Sequence, residues 1–137
     1  MTTVFLGLGS NIGEREHHLC VAREAIRQNV GEIIAESSIF ESEAVGFTGN
    51  PFCNQVVKIE TSLSPEILLQ KTQEIENQMG RTQKTRIINQ APNYSNRVMD
   101  IDILLYDDLQ LHTEALTIPH KKMFEREFVM KPLQEVI

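Results

Sequence analysis

Val98-Met99-Asp100-Ile101-Asp102-Ile103-Leu104-Leu105-Tyr106 is the stretch on which the fold turns. Met99, Ile101, Ile103 and Leu105 recur at period two and line one face of a strand, while Asp100 and Asp102 leave by the other. So apolar a face must lie on a core, which the preceding chain has to supply. Immediately before it comes a long polar loop, 81–96, and before that a helix. Ser64 and Pro65 read as its N-cap and first position, Leu68, Thr72, Ile75 and Met79 as its inner stripe, and Gly80 as its stop. Gln73, Glu76 and Gly80 share a neighbouring stripe. Further back, 53–61 alternates as a half-buried strand, Val57 and Ile59 facing one way and Asn54, Lys58 and Glu60 the other. The run 33–40 reads as another strand. Residues 14–29 read as a helix, with Leu19, Ala22, Ile26 and Val30 at helical spacing and Gly31 to end it. An opening strand, 2–8, runs into Gly7-Leu8-Gly9-Ser10-Asn11-Ile12-Gly13. The order β-α-β-β-α-β predicts an α+β fold: a ferredoxin-like βαββαβ sandwich with an antiparallel sheet, helices on one face and extra C-terminal elements.

A chain of 137 residues fits one domain, 1–137. With 41% hydrophobic and 23% charged residues it is neither a disordered tail, a collagen-like repeat nor a membrane protein. Its longest apolar runs, 4–8 and 101–105, are strand-sized, far below the roughly 20 residues that span a bilayer. Met1-Thr2-Thr3-Val4-Phe5 lacks the basic stretch and apolar region of an export signal, so a cytoplasmic location is expected. Thiols stay reduced there, and Cys20 and Cys53 are expected to be small packing residues. A net charge of −6 argues against nucleic acid as a partner. Yet Arg81, Lys84, Arg86 and Arg97 follow one another with no acid among them. Such a basic loop suits a small polyanion, such as a nucleotide phosphate tail; a solvated loop without a ligand explains it as well.

Paired acids two residues apart repel unless a hard cation is shared between them, and Mg2+ favours one or two carboxylates completed by water and phosphate oxygens. Acids on an exposed strand face also serve solubility and edge protection. Gly7, Gly9 and Gly13 miss the dinucleotide spacing, and no lysine follows to make a P-loop, so the run reads as a flexible strand-to-helix turn. Asn50-Pro51-Phe52-Cys53-Asn54 sets a ring and an amide at a strand mouth, the two things a flat heterocycle needs, although loop anchoring would use the same residues. Thr117-Ile118-Pro119-His120, followed by Arg126 and Phe128, again offers cationic and aromatic groups together. No arrangement suggests a covalent nucleophile.

Taken in order, Gly9-Ser10-Asn11, Asn50-Pro51-Phe52 with Asn54, Glu76 with Gly80-Arg81, Arg97 to Leu104, Pro119-His120, and Arg126 with Phe128-Val129-Met130 and Pro132-Leu133 resemble the 6-hydroxymethyl-7,8-dihydropterin pyrophosphokinase family across nearly the whole chain. The resemblance implies transfer of pyrophosphate from ATP to 6-hydroxymethyl-7,8-dihydropterin in folate biosynthesis, giving AMP and the pterin diphosphate. It implies two Mg2+ ions on Asp100 and Asp102, with Arg81 and Arg97 steadying the transferring group. Gln73, Glu76, Ile103, Thr117, His120 and Arg126 would line the ATP site. The pterin would stack between Phe52 and Phe128, bond Asn54 and be closed in by the segment from Ser42 to Val45. Tyr94 stands where family members often carry a tryptophan. Loop 81–96 is expected to fold over the filled site, and the chain is expected to act as a monomer. The rival class is a ferredoxin-like regulatory module that senses nucleotide without chemistry.

Overall fold

The computed structural model describes residues 1–43, 50–80 and 98–137. Among these, strands β1 (Thr2–Ser10), β2 (Glu32–Glu36), β3 (Phe40–Ser42), β4 (Phe52–Thr61) and β5 (Asp100–Tyr106) form one antiparallel sheet. Its order is β2-β4-β1-β5, with β3 pairing β4 next to β2. Helices α1 (Arg15–Asn29) and α2 (Pro65–Gln78) connect strands; β6 (Leu111–His112) and β7 (Thr117–Ile118) make a small hairpin; a 3-10 turn (Met123–Glu125) leads into α3 (Glu127–Val136). No described helix is long and apolar enough to cross a membrane.

Period two puts Val4, Leu6 and Leu8 of β1, Val57 and Ile59 of β4, and Ile101 and Ile103 of β5 on one face, where α1 brings Leu19, Ala22 and Ile26 and α2 brings Leu68 and Ile75. Each of the Val, Leu and Ile side chains contributes roughly 1.5–3 kcal/mol by leaving water. Ser64 caps α2 by accepting the Ile67 N–H at 3.3 Å, with Pro65 in the first turn, and Gly80 ends it at φ +101°. Gly31 follows α1 for another reason. Its φ is not positive, but a Cβ there would overlap the Glu60 carbonyl oxygen, so glycine is what lets the turn close onto β4.

Several expectations need correction. The two helices of the β-α-β-β-α-β unit, α1 and α2, share one face as expected, but the C-terminal α3 packs on the opposite side of the sheet, its Val129, Leu133 and Val136 meeting Phe5, Val56 and Leu104. For the same reason β4 is not half-buried. Val56 and Asn54, on the face expected to be polar, are buried too. The single strand over 33–40 is broken into β2 and β3 because Ser37 meets Val56 of β4 through its N–H and hydroxyl, its carbonyl being diverted, and Ser38 bonds away from the sheet. The Ser37 hydroxyl accepts the Val56 N–H and its carbonyl accepts from Gln55, while Ser38 donates its N–H and hydroxyl to Glu135 at 2.7 and 2.8 Å. Leu105 does not follow Met99, Ile101 and Ile103. The pairing slips between Phe5 and Leu6, leaving Leu104 unmatched and turning Leu105 toward the α3 side. Cys53 is a buried packing residue as expected, but Cys20 lies on the exposed face of α1.

Candidate functional site

The sheet register assembles the site. Asp100 lies opposite Gly9, Gly9 opposite Asn54, and Asn54 opposite Phe40; one row nearer the α3 core, Asp102, Gly7 and Val56 are aligned. Residues directly opposite one another point to the same face, so the two acids, the two glycines and the amide share the α3 side of the sheet. Asp100 and Asn54 are two strand spacings apart, about 10 Å, with only glycine between them. Gly7 and Gly9 are therefore not the flexible turn expected from their spacing. They are strand residues whose missing side chains leave a flat backbone floor beside the carboxylates, covered at Gly9 by the Asn54 and Phe52 side chains. A Cβ on Gly9 would stand 3.2 Å from Asn54 Oδ1 and 3.4 Å from the Phe52 ring.

Asn54 is 6% exposed, and its Nδ2 donates to the Phe40 carbonyl at 3.0 Å and to Ser42 Oγ at 2.8 Å. A carbonyl only accepts, so the amide orientation is settled, and both Nδ2 hydrogens are spent inside the protein. Asn54 thus turns its acceptor, Oδ1, toward the floor at Gly9, and Ser42 serves to hold it there. Two contacts missed by sequence reasoning secure this mouth. Asn11 and Asn50 exchange side-chain to backbone bonds at 3.0 and 3.2 Å, and Arg15 binds the Pro51 carbonyl at 2.9 Å and Glu41 at 2.8 Å.

On the other side of Asp102 a cavity of about 270 Å³ opens, lined by the expected Ile103, Thr117 and His120. Leu69, Leu116 and Lys121 also line it, none of them singled out by a motif. Among the described strands β5 lies at the edge, and Ile101 turns its N–H outward; period two turns the N–H and C=O of Ile103 to the same outer edge, toward the cavity. His120 Nδ1 accepts the Lys122 N–H at 3.3 Å, leaving Nε2 to carry the proton of the neutral ring, 3.9 Å from Asp102 Oδ1. Burial, and then the nearby Arg126 guanidinium, hold the His120 pKa below its ordinary value. The contact with Asp102 is accordingly not an ion pair at neutral pH. Arg126 precedes α3, its guanidinium 5.4 Å from the centre of the Phe128 ring.

Three residues assigned to the ATP site do not line the cavity: Arg126, Gln73 and Glu76. Gln73 is exposed, one helical turn beyond Leu69, and Glu76 is 4% exposed with its carboxylate bound to the Ile101 N–H at 2.7 Å. Arg81, Arg97, Val45 and Tyr94, with Lys84, Arg86 and the lid expected over 81–96, lie outside the described residues. Among the described residues no group of three or more His, Cys, Asp or Glu side chains could hold a metal by itself.

Residues 5–137 match the family model described as 7,8-dihydro-6-hydroxymethylpterin-pyrophosphokinase. The chain is 41% identical to a 2-amino-4-hydroxy-6-hydroxymethyldihydropteridine pyrophosphokinase of Bacillus subtilis, over 96% of this chain and 76% of that one. A protein of the same name from Porphyromonas gingivalis is 39% identical over 99% and 91% of the two chains. Among solved structures, the HPPK-DHPS of Plasmodium falciparum superposes with a TM-score of 0.72 at 15% identity, covering 100% of this chain. This chain spans 40% of that longer one, and the likeness concerns the fold alone.

Proposed function

This chain belongs to the 7,8-dihydro-6-hydroxymethylpterin-pyrophosphokinase family, and from that premise we propose how its site works. The reaction is pyrophosphoryl transfer from ATP to 6-hydroxymethyl-7,8-dihydropterin in folate biosynthesis, releasing AMP. A single observation carries the reading: one row of the sheet sets Asp100, a glycine floor and the Asn54 acceptor side by side, with a cavity adjoining Asp102. The pterin lies on the backbone at Gly9, beside Phe52 and under Phe128, and donates an N–H to Asn54 Oδ1. Its hydroxymethyl group then reaches toward Asp100. The nucleotide base enters the cavity, where the outward N–H and C=O of Ile103 can pair with a base edge, Thr117 lies alongside, and the neutral His120 offers its Nε2–H to a phosphate oxygen.

Asp100 and Asp102 fit Mg2+, because two hard carboxylate oxygens beside glycines leave room for waters and phosphates to complete the shell. When bound, the ions neutralise triphosphate charge and lower the pKa of the attacking hydroxyl. Phosphoryl transfer otherwise asks mainly for position and charge, so no covalent intermediate is required of the protein. By the family resemblance, Arg81 and Arg97 steady the transferring group, Gln73 and Arg126 approach the nucleotide, and Val45 and Tyr94 approach the pterin. The β-α-β-β-α-β portion is read as ferredoxin-like, supported by its sheet order β2-β4-β1-β5, with residues 1–137 as one domain acting as a cytoplasmic monomer. The regulatory-module reading finds no support, since the curated relatives are named as enzymes.

The test is Asp102→Ala, assayed for AMP release at saturating Mg2+ with a melting curve alongside. Loss of one preorganised electrostatic group should cost about 10²–10³ in turnover while the fold persists. Near-normal turnover, or ADP as the product, would refute the reading.

A further inference from the structure

We infer that Glu76 is a positioning residue for the acid pair: its buried carboxylate pins the backbone of Ile101, midway between Asp100 and Asp102, and so sets the pose in which the two meet their cation. The inference rests on the reading of Asp100 and Asp102 as the cation's ligands. Among the described residues β5 pairs only with β1, so on its outer side the N–H groups have no ladder partner among the described strands. Asp100 is its first residue, and the strand residue opposite is a glycine, which packs no side chain against it. Met99, just before it, is fully buried and anchors the chain in the core, while Glu76 holds the outer edge of the strand. Glu76 reaches it from α2, whose Leu68, Thr72 and Ile75 are themselves buried, so the carboxylate has little freedom to move.

The bond is short, 2.7 Å, and charge-assisted. Burying a carboxylate is costly, and a leucine on this stripe would serve packing better. Here the acid grips the N–H of the peptide that joins Asp100 to Ile101, which ties the pose of that peptide to α2. Glu76 does not line the cavity beside Asp102, and the bond it makes to the Ile101 N–H is the contact argued from here.

Three measurements on the full chain test the tether: amide exchange at Ile101 by NMR, Mn2+ affinity by electron paramagnetic resonance with a non-hydrolysable ATP analogue present, and thermal melting. Glu76→Ala should remain folded, exchange Ile101 faster and bind Mn2+ about tenfold more weakly. Glu76→Gln keeps an acceptor oxygen and should restore both properties to within about threefold. Free Ile101 exchange with unchanged Mn2+ affinity in Glu76→Ala overturns the tether. So does weakened Mn2+ binding in Glu76→Gln while Ile101 stays protected, because charge rather than position would then be responsible. If Glu76→Ala fails to fold, Glu76→Gln decides alone: both properties retained, or both lost together, support the tether, and cation affinity lost by itself overturns it. Asp102→Ala is the separate control. If it binds Mn2+ as tightly as the wild type, the site reading fails before the question of Glu76 arises.

Discussion

Gly9→Ala isolates the pterin floor from everything else in the molecule. The new methyl would lie 3.2 Å from Asn54 Oδ1 and 3.4 Å from a Phe52 ring carbon, both of them side-chain atoms able to yield a few tenths of an ångström. Replacing a strand glycine by alanine also recovers roughly 0.5–1 kcal/mol of backbone entropy. The fold should therefore survive, with a melting temperature within about 4 °C of the wild type. A flat ring resting on that floor has no such latitude, because the methyl rises from the Cα into the contact layer of its underside. Overpacking of this kind costs about 1–3 kcal/mol, or roughly 5- to 150-fold in pterin dissociation constant. Calorimetric titration of pterin into protein saturated with a non-hydrolysable ATP analogue measures it. Affinity for the analogue itself should change by less than about twofold, since the cavity lies beyond Asp102. Gly7→Ala, whose methyl meets Leu104 at an ordinary 3.5 Å one row nearer the core, controls for a general effect on β1. Wild-type pterin affinity in Gly9→Ala would show that the ring does not lie on this row.

Ser42→Ala removes one of the two acceptors that orient the Asn54 amide and should weaken pterin binding by about 2- to 12-fold, read by the same titration, with no change in melting temperature beyond a few degrees. Glu135→Gln tests acid sensitivity. The N–H and hydroxyl of Ser38 hold the Glu135 carboxyl below its ordinary value, so its stabilisation is present above the unfolded value of 4.5 and lost as pH falls through the folded one. Melting curves should show the wild type ahead of Glu135→Gln at pH 7, and the gap closing on acidification below about pH 4.5. Gly31→Ala must push the α1–β2 turn away from the Glu60 carbonyl and should lose about 1–3 kcal/mol in chemical denaturation, with ligand affinities intact.

How far the sequence can be read depends on the range of the interaction. Local patterns were sufficient for α1 and α2, because helical spacing, a Ser64-Pro65 cap and a stop glycine act within a few residues of one another. They also put Asp100 and Asp102 on one face, since that follows from period two alone. What periodicity does not report is which strand lies beside which, or what covers each face. Val56 sits in a run that alternates well enough as a half-exposed strand; only α3, some 70 residues later, makes its face a second core. Leu105 obeyed the period on paper, and the slip opposite Phe5 is visible only in the pairing. The same limit hid Gly7 and Gly9, whose significance lies in being opposite Asp102 and Asp100. Glu76 fell on the right stripe, but its partner is a peptide N–H on another element, which no side-chain pattern encodes.

Strands β1, β4 and β5 change character together on the α3 side of the sheet. Stepping by two along β1 leads from Phe5 to Gly7 and Gly9; along β4, from Val56 to Asn54; along β5, from Leu104 to Asp102 and Asp100. In each strand a large apolar residue under α3 gives way to a small or polar one where the helix no longer covers it. The core and the site are thus two ends of one face, divided by the reach of α3. Residues near that division affect both ends differently. Truncating Leu104, which is 1% exposed and two residues from Asp102, removes packing beneath α3, whereas a substitution at Gly9 adds bulk beyond it, against Asn54 and the Phe52 ring. Stability should therefore respond to changes beneath α3 and ligand affinity to changes beyond it, although both sets of residues belong to the same three strands.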